Sequence, residues 1–149
     1  MTFTLELGIT ASPSHVFDFV ADFASTPRWY SAVQRVEHVH GDGEMGTRYS
    51  VYRRLPSGPV VNVVEVIGYT QGKEVAFTSV EGPTPFTYRY RVEPTSSGTR
   101  LELEGAISAA GLPGLARLLG PAAERLFKHG MQENLGALKE LLERQPHSG

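Results

Sequence analysis

Along PFTYRYRVEP (85–94), Phe86, Tyr88, Tyr90 and Val92 fall at every second position, with Thr87, Arg89, Arg91 and Glu93 between them. A period of two predicts a strand with one aromatic face and one charged face. Near the N-terminus Phe3, Leu5, Leu7 and Ile9 alternate with Thr4, Glu6 and Gly8, which predicts a first strand. From Val33 to Ile107 one extended segment follows another: VQRVEHVH (33–40), GTRYSVYRR (46–54), VVNVVEVIGY (60–69), EVAFTSVE (74–81), the 85–94 segment and TRLELEGAIS (99–108). The connections GDGE, PSGP, TQGK, GPTP and TSSG are short and rich in turn residues, so neighbouring strands should run antiparallel as a meander.

Pairing parity gives a register. With Tyr90 opposite Leu103, Tyr88 meets Gly105, Phe86 meets Ile107 and Val92 meets Leu101, and the apolar sets share one face. Arg89, Arg91, Arg100, Glu102 and Glu104 then share the other. The segments between Gly46 and Tyr69 admit two registers, because Tyr49/Val51 compete with Tyr52, and Val63/Ile67 with Val64/Val66. The register adopted turns Tyr49, Val51, Val63, Glu65 and Ile67 inward, beside Val75 and Phe77.

Two stretches have helical period. Ser12 is a good N-cap, Pro13 suits the first turn, and Val16, Phe17 and Val20 form a stripe. This helix should stop between Phe23 and Thr26, with a bend or short second helix carrying Trp29 and Tyr30, since the residue before Pro27 is steered away from helix. After Gly111, Leu115, Leu119, Ala123, Phe127, Met131, Leu135, Leu138 and Leu142 recur at spacings of three and four. Pro113 suits the start of this long helix, and Gly120-Pro121 predicts a kink or break. The expectation is an α+β fold: a curved seven-stranded antiparallel sheet wrapped around one long C-terminal helix, with one or two short helices after the first strand. A sheet too wide for one helix to cover must curl around it, which leaves space between them. Residues 1–144 read as one domain and 145–149 as a flexible tail.

Composition narrows the function classes. At 149 residues the chain can bury a core without help from metal or disulfide, and it has no cysteine. Formal net charge is −2 with acids and bases interspersed, so there is no basic excess to drive nucleic-acid binding. No apolar run approaches a membrane span, and MTFTLELGIT does not read as a signal peptide, so a cytoplasmic address is expected. GxSxG, P-loop, dinucleotide, HExxH and CxxC motifs are absent. GDGEMG is a turn between strands, with no helix after it to receive a phosphate.

The segments SPSHVFDFVADF, PRWYSAVQRVE, GDGEMGTRY, GKEVAFTSVEG, SSGTRLELEG and NLGALKELLE resemble the START-like, birch-pollen-allergen-like helix-grip superfamily, in its polyketide cyclase/dehydrase (SRPBCC) branch. The resemblance spans nearly the whole chain and rests on fold-defining turns and packing positions. It implies an apolar cavity between the inward strand face and the long helix, and roles that range from ligand binding and transport to cyclisation and dehydration. No cofactor is expected, and no metal site is assigned.

Trp29, Tyr30, Tyr49, Glu65, Phe77, Phe86, Tyr88, Tyr90, Phe127 and Met131 are the candidate ligand-contacting residues. Glu65, Tyr88 and His129 are candidate proton carriers. An inward Glu65 would have its pKa raised by desolvation, unless Arg53 or Arg48, one strand away, kept it ionised. His38 and His40 share a strand face, which suits two metal ligands without a third, so a solvated face is the plainer reading. Asn134 beside the helix stripe more simply satisfies a backbone group. Three functions remain open. The first is binding of a small hydrophobic molecule, aromatic, polyketide-like or lipid-like. The second is a cyclase or dehydratase using the same cavity. The third is a protein-interaction module, such as a homodimer, with a vestigial cavity.

Overall fold

A computed structural model describes residues 2–55, 58–83, 85–107 and 120–144, with the backbone alone of residues 55, 120–124, 126 and 127. Seven strands form one antiparallel sheet: β1 (Thr2–Ile9), β2 (Val33–His40), β3 (Arg48–Leu55), β4 (Gly58–Thr70), β5 (Glu74–Glu81), β6 (Phe86–Thr95) and β7 (Gly98–Ile107). Their order is β1-β7-β6-β5-β4-β3-β2. β2 to β7 are a meander, as their turn chemistry predicts. The first strand closes onto the last, so the connection from β1 to β2 must cross from one edge of the sheet to the other.

That crossing is made by α1 (Pro13–Ala21) and a 3-10 helix (Phe23–Arg28). Ser12 Oγ caps α1 by accepting from the His15 N–H at 3.3 Å, with Pro13 in the first turn. Val16, Phe17 and Val20 are buried beneath it. Asp22 ends α1 and starts the next helix, its Oδ1 accepting from the Ala24 N–H at 3.2 Å. Pro27 lies inside the 3-10 helix, and Trp29 closes it.

The long C-terminal helix, α2, is described over Gly120–Arg144. Its start at Pro113 and the stripe positions Leu115 and Leu119 fall outside the described residues. Met131, Leu135, Leu138 and Leu142 are buried in one core with the inward sheet residues. The far end of α2 is tied to the end of β1. Lys139 Nζ donates to the Gly8 carbonyl at 2.7 Å, and Glu143 Oε2 accepts from the Thr10 N–H at 2.8 Å and from Lys139 at 2.7 Å.

The β6–β7 register is the expected one: Tyr90 opposite Leu103, Tyr88 opposite Gly105, Phe86 opposite Ile107 and Val92 opposite Leu101. On the outer face Arg91 bridges Glu74, Glu102 and Glu104. Gly105 is small because Phe3 packs over it; a Cβ there would fall 2.3 Å from the Phe3 ring.

Two expectations are corrected. In β4 the inward residues are Asn62, Val64 and Val66, whereas Val63, Glu65 and Ile67 face outward. Tyr49 and Val51 do point inward, and they pair with Val64 and Asn62, so the pleat turns Glu65 to the other side. A bulge at Ile67 restores the phase, so that Tyr69 pairs with Val75. The second correction concerns the histidines. A bulge in β2 places His38 opposite Tyr49 and His40 opposite Arg48, so the two do not share a face.

Candidate ligand-binding site

Nine described residues converge on a cup within the fold: Phe23, Thr26 and Tyr30 from the crossing segment, Val33 from β2, Val51 and Arg53 from β3, and Phe86, Tyr88 and Tyr90 from β6. The void among them is about 20 Å³, room for about one water molecule. Among the described residues that line it, the cup is therefore nearly closed by rings. Phe86 stacks on Tyr88 with centroids 4.8 Å apart, and Phe3 meets Tyr88 edge-on at 6.3 Å. Behind the lining, Phe77 packs on Phe23 at 4.6 Å and on Tyr90 at 6.3 Å.

Tyr30, Tyr88 and Arg53 bring their polar groups together at one end of the cup. The Tyr30 and Tyr88 hydroxyls are 3.2 Å apart in a hydrogen bond that either can donate. Arg53 reaches the same end, because alternation after Tyr49 and Val51 turns it inward opposite Val33. Its Nε and Nη2 donate to Asn62 Oδ1 at 3.0 and 2.6 Å, and Nη2 also donates to the Pro83 carbonyl at 3.0 Å. The guanidinium lies over the Phe86 ring, 5.6 Å from its centroid. Asn62 is fully buried, and its Nδ2 donates to the carbonyls of Pro83 at 2.9 Å and Glu81 at 3.3 Å. Gly82, at φ +105°, brings that turn so close that a Cβ would stand 2.6 Å from the Val61 carbonyl oxygen and 2.7 Å from Asn62 Nδ2.

Burial governs the ionisation of these groups. It raises the pKa of Tyr30, an effect opposed by the Tyr88 hydrogen bond and by the charge of Arg53. It raises Tyr88 strongly, with the charge and hydrogen bond of Tyr30 adding to it, and it raises Tyr90. Burial lowers the Arg53 pKa, an effect opposed by Tyr30 and Tyr88; an arginine nevertheless remains a cation at neutral pH. The phenols are neutral hydrogen-bonding groups there, and poor bases.

Of the expected contact residues, Tyr30, Phe86, Tyr88 and Tyr90 come together in the cup. Trp29, buried and 5 % exposed, packs edge-on to Tyr90 at 6.5 Å, and Phe77 and Met131 belong to the core around it. Tyr49 lines a separate groove of about 410 Å³ with Asp18, Asp22, His38, Asp42 and Tyr69. Glu65 is outside altogether, where Arg48 Nε donates to its Oε1 at 2.8 Å. His129 is on the solvent side of α2, 3.1 Å from Glu133. The Phe127 side chain lies outside the described residues. Asn134 does satisfy a backbone group, accepting from the Ser31 N–H at 3.3 Å beside Tyr30. Asn62 is not among the candidates that the sequence suggests, and Arg53 enters there only as an ion partner for an inward Glu65.

The sequence matches, over residues 1–143, the family described as polyketide cyclase / dehydrase and lipid transport. The chain belongs to that family. Solved structures share its fold. TTHA0849 from Thermus thermophilus is 21 % identical with a TM-score of 0.79, covering 94 % of this chain and 95 % of its own. Ara h 8.0201 is 17 % identical with a TM-score of 0.71, covering 97 % and 99 %. The di-domain ARO/CYC StfQ from the steffimycin biosynthetic pathway is 14 % identical with a TM-score of 0.72; the match covers 95 % of this chain and 50 % of StfQ. No curated protein is similar enough in sequence to match the chain. Among the described residues no helix is long and apolar enough to cross a membrane, and no group of three or more His, Cys, Asp or Glu side chains is placed to hold a metal ion.

Proposed function

We propose that this chain binds a small, largely apolar molecule, aromatic, polyketide-like or lipid-like, in the cup between the inward sheet face and the helices. The observation that carries this reading is the ring set itself: Phe86, Tyr88 and Tyr90 on one strand face, with Phe23 and Tyr30 facing them and a few polar groups among them. Apolar walls with a few convergent polar groups are the usual composition of a small-molecule site. Family membership and the fold shared with StfQ support the same reading.

Admitting a ligand to so small a void requires the rings to part. Tyr30 is half-buried, and its segment is held by the hydroxyl contact to Tyr88, the Ser31–Asn134 hydrogen bond, the ring of Trp29 and backbone bonds to Thr26 and Val33. Burying a ligand ring of about 200 Å² contributes about 5 kcal/mol toward displacing the Tyr30 ring. General acid–base catalysis is less well supported, since Glu65 and His129 lie outside the cup and Tyr88 is held neutral.

The single tryptophan, Trp29, adjoins Tyr30 and Tyr90 and can report occupancy. Titration with N-phenyl-1-naphthylamine should give saturable energy transfer from Trp29, and Tyr88→Ala should weaken it with unfolding still cooperative. Absence of saturable transfer in the unsubstituted protein would leave the cup as packed core.

A further inference from the structure

Among the nine described residues that line the cup, one side chain carries a full charge, and it is the cation Arg53. The phenols beside it are neutral at physiological pH, and each hydroxyl can donate as well as accept. In the Tyr30–Tyr88 pair one hydroxyl is consumed as donor and the other keeps its proton for a further acceptor. This end of the cup therefore offers positive charge and hydrogen-bond donors, while the remaining walls are apolar but for Thr26, whose hydroxyl donates to the Phe23 carbonyl.

The guanidinium is also fixed in place before any ligand arrives. Asn62 Oδ1 takes the Nε and Nη2 protons together, the Pro83 carbonyl takes Nη2, and Asn62 is itself held by the carbonyls of Glu81 and Pro83. Asn62 has no solvent exposure. An arginine on a mobile stem would lose rotamer freedom on gripping a ligand, whereas one locked from behind has already lost it.

We propose that the ligand is an acid: an aromatic or lipid-like molecule whose carboxylate, or an equally anionic enolate or phenolate oxygen, seats against Arg53 and the Tyr30–Tyr88 hydroxyls, with Asn62 as the positioning residue for the guanidinium. This rests on the reading of the cup as a binding site and adds the charge of its occupant. A charge-assisted hydrogen bond in a poorly solvated site is about twice as strong as a neutral one, so the carboxylate should outcompete a neutral molecule of the same shape.

The test compares 2-naphthoate with 2-acetonaphthone, its neutral methyl ketone of similar shape, by calorimetry. The unsubstituted protein should bind naphthoate at least tenfold more tightly. Arg53→Met should erase that ratio, by costing naphthoate far more affinity than it costs the ketone. Asn62→Asp, which places a carboxylate on the guanidinium at almost unchanged volume, should erase it too, and Arg53→Lys should restore part of it. Were Arg53 merely a brace for the turn at Pro83, these variants would lower thermal stability and leave the ratio alone. Equal affinity for the two probes in the unsubstituted protein would overturn the anionic ligand and leave the cup intact. Binding of neither probe would overturn both readings. Because the ratio is measured first in the unsubstituted protein, a variant that fails to fold does not shield the proposal.

Discussion

Asn62 Oδ1 accepts from both Nε and Nη2 of Arg53, at 3.0 and 2.6 Å, from a position with no exposure to solvent. One amide thereby joins three elements: β3 through Arg53, its own strand β4, and the turn after β5 through the carbonyls of Glu81 and Pro83. Leucine at 62 keeps the branching of asparagine, with bulkier methyl groups, but offers no acceptor to the guanidinium and no donor to the turn. Leaving buried polar partners unmet costs about 1–3 kcal/mol. Asn62→Leu should therefore lower the urea midpoint by the equivalent of that amount with an unchanged m-value. A midpoint equal to that of the unsubstituted protein would show that the amide does not organise this corner.

The way Arg53 and Asn62 escape detection shows how far the pattern carries. Where apolar and polar residues alternate strictly, as in β1, β6 and β7, the sequence states the inward face, and for β6 against β7 also the register, and the structure agrees. In VVNVVEVIGY both faces are apolar, so alternation is silent, and the phase adopted from sequence puts Glu65 inside and Asn62 outside. The signal that could decide it lies one strand back. With Tyr49 and Val51 inward, the period of two makes Arg53 inward as well, and a buried arginine needs a polar residue across the hairpin, which Asn62 supplies and Glu65 does not. The bulges at Val39 and Ile67 follow from tertiary fit and have no local marker. The near closure of the cup is equally illegible, because periodicity tells which side chains face one another and not how much room they leave.

The outward Glu65 makes a contrasting prediction. Its bond to Arg48 joins two partly exposed side chains, 27 % and 43 % accessible, across a hairpin. Such pairs contribute at most about 1 kcal/mol, less in salt. Glu65→Gln should leave the affinity for N-phenyl-1-naphthylamine and the naphthoate preference unaltered, and change the unfolding free energy by under about 1 kcal/mol. A large loss of either binding property would return this carboxylate to the site.

The phenols of the cup set a limit on alkaline stability. Burial raises the pKa of Tyr30, Tyr88 and Tyr90 in the folded protein, whereas in the unfolded chain each titrates near 10. Below about pH 10 both states keep these protons, and stability does not depend on them. Above it the unfolded chain releases protons that the folded protein retains, so the unfolded state binds fewer and stability falls as pH rises. Each retained proton contributes a slope of about 1.4 kcal/mol per pH unit. The unfolding free energy of the unsubstituted protein should turn downward from about pH 10, and Tyr90→Phe should make that descent shallower by one tyrosine's share. Phenolate absorbance should show Tyr88 and Tyr90 ionising together with loss of the near-UV circular dichroism. Ionisation of all six tyrosines with the tertiary signal intact would mean that water reaches the cup freely, contradicting the burial from which its chemistry is argued.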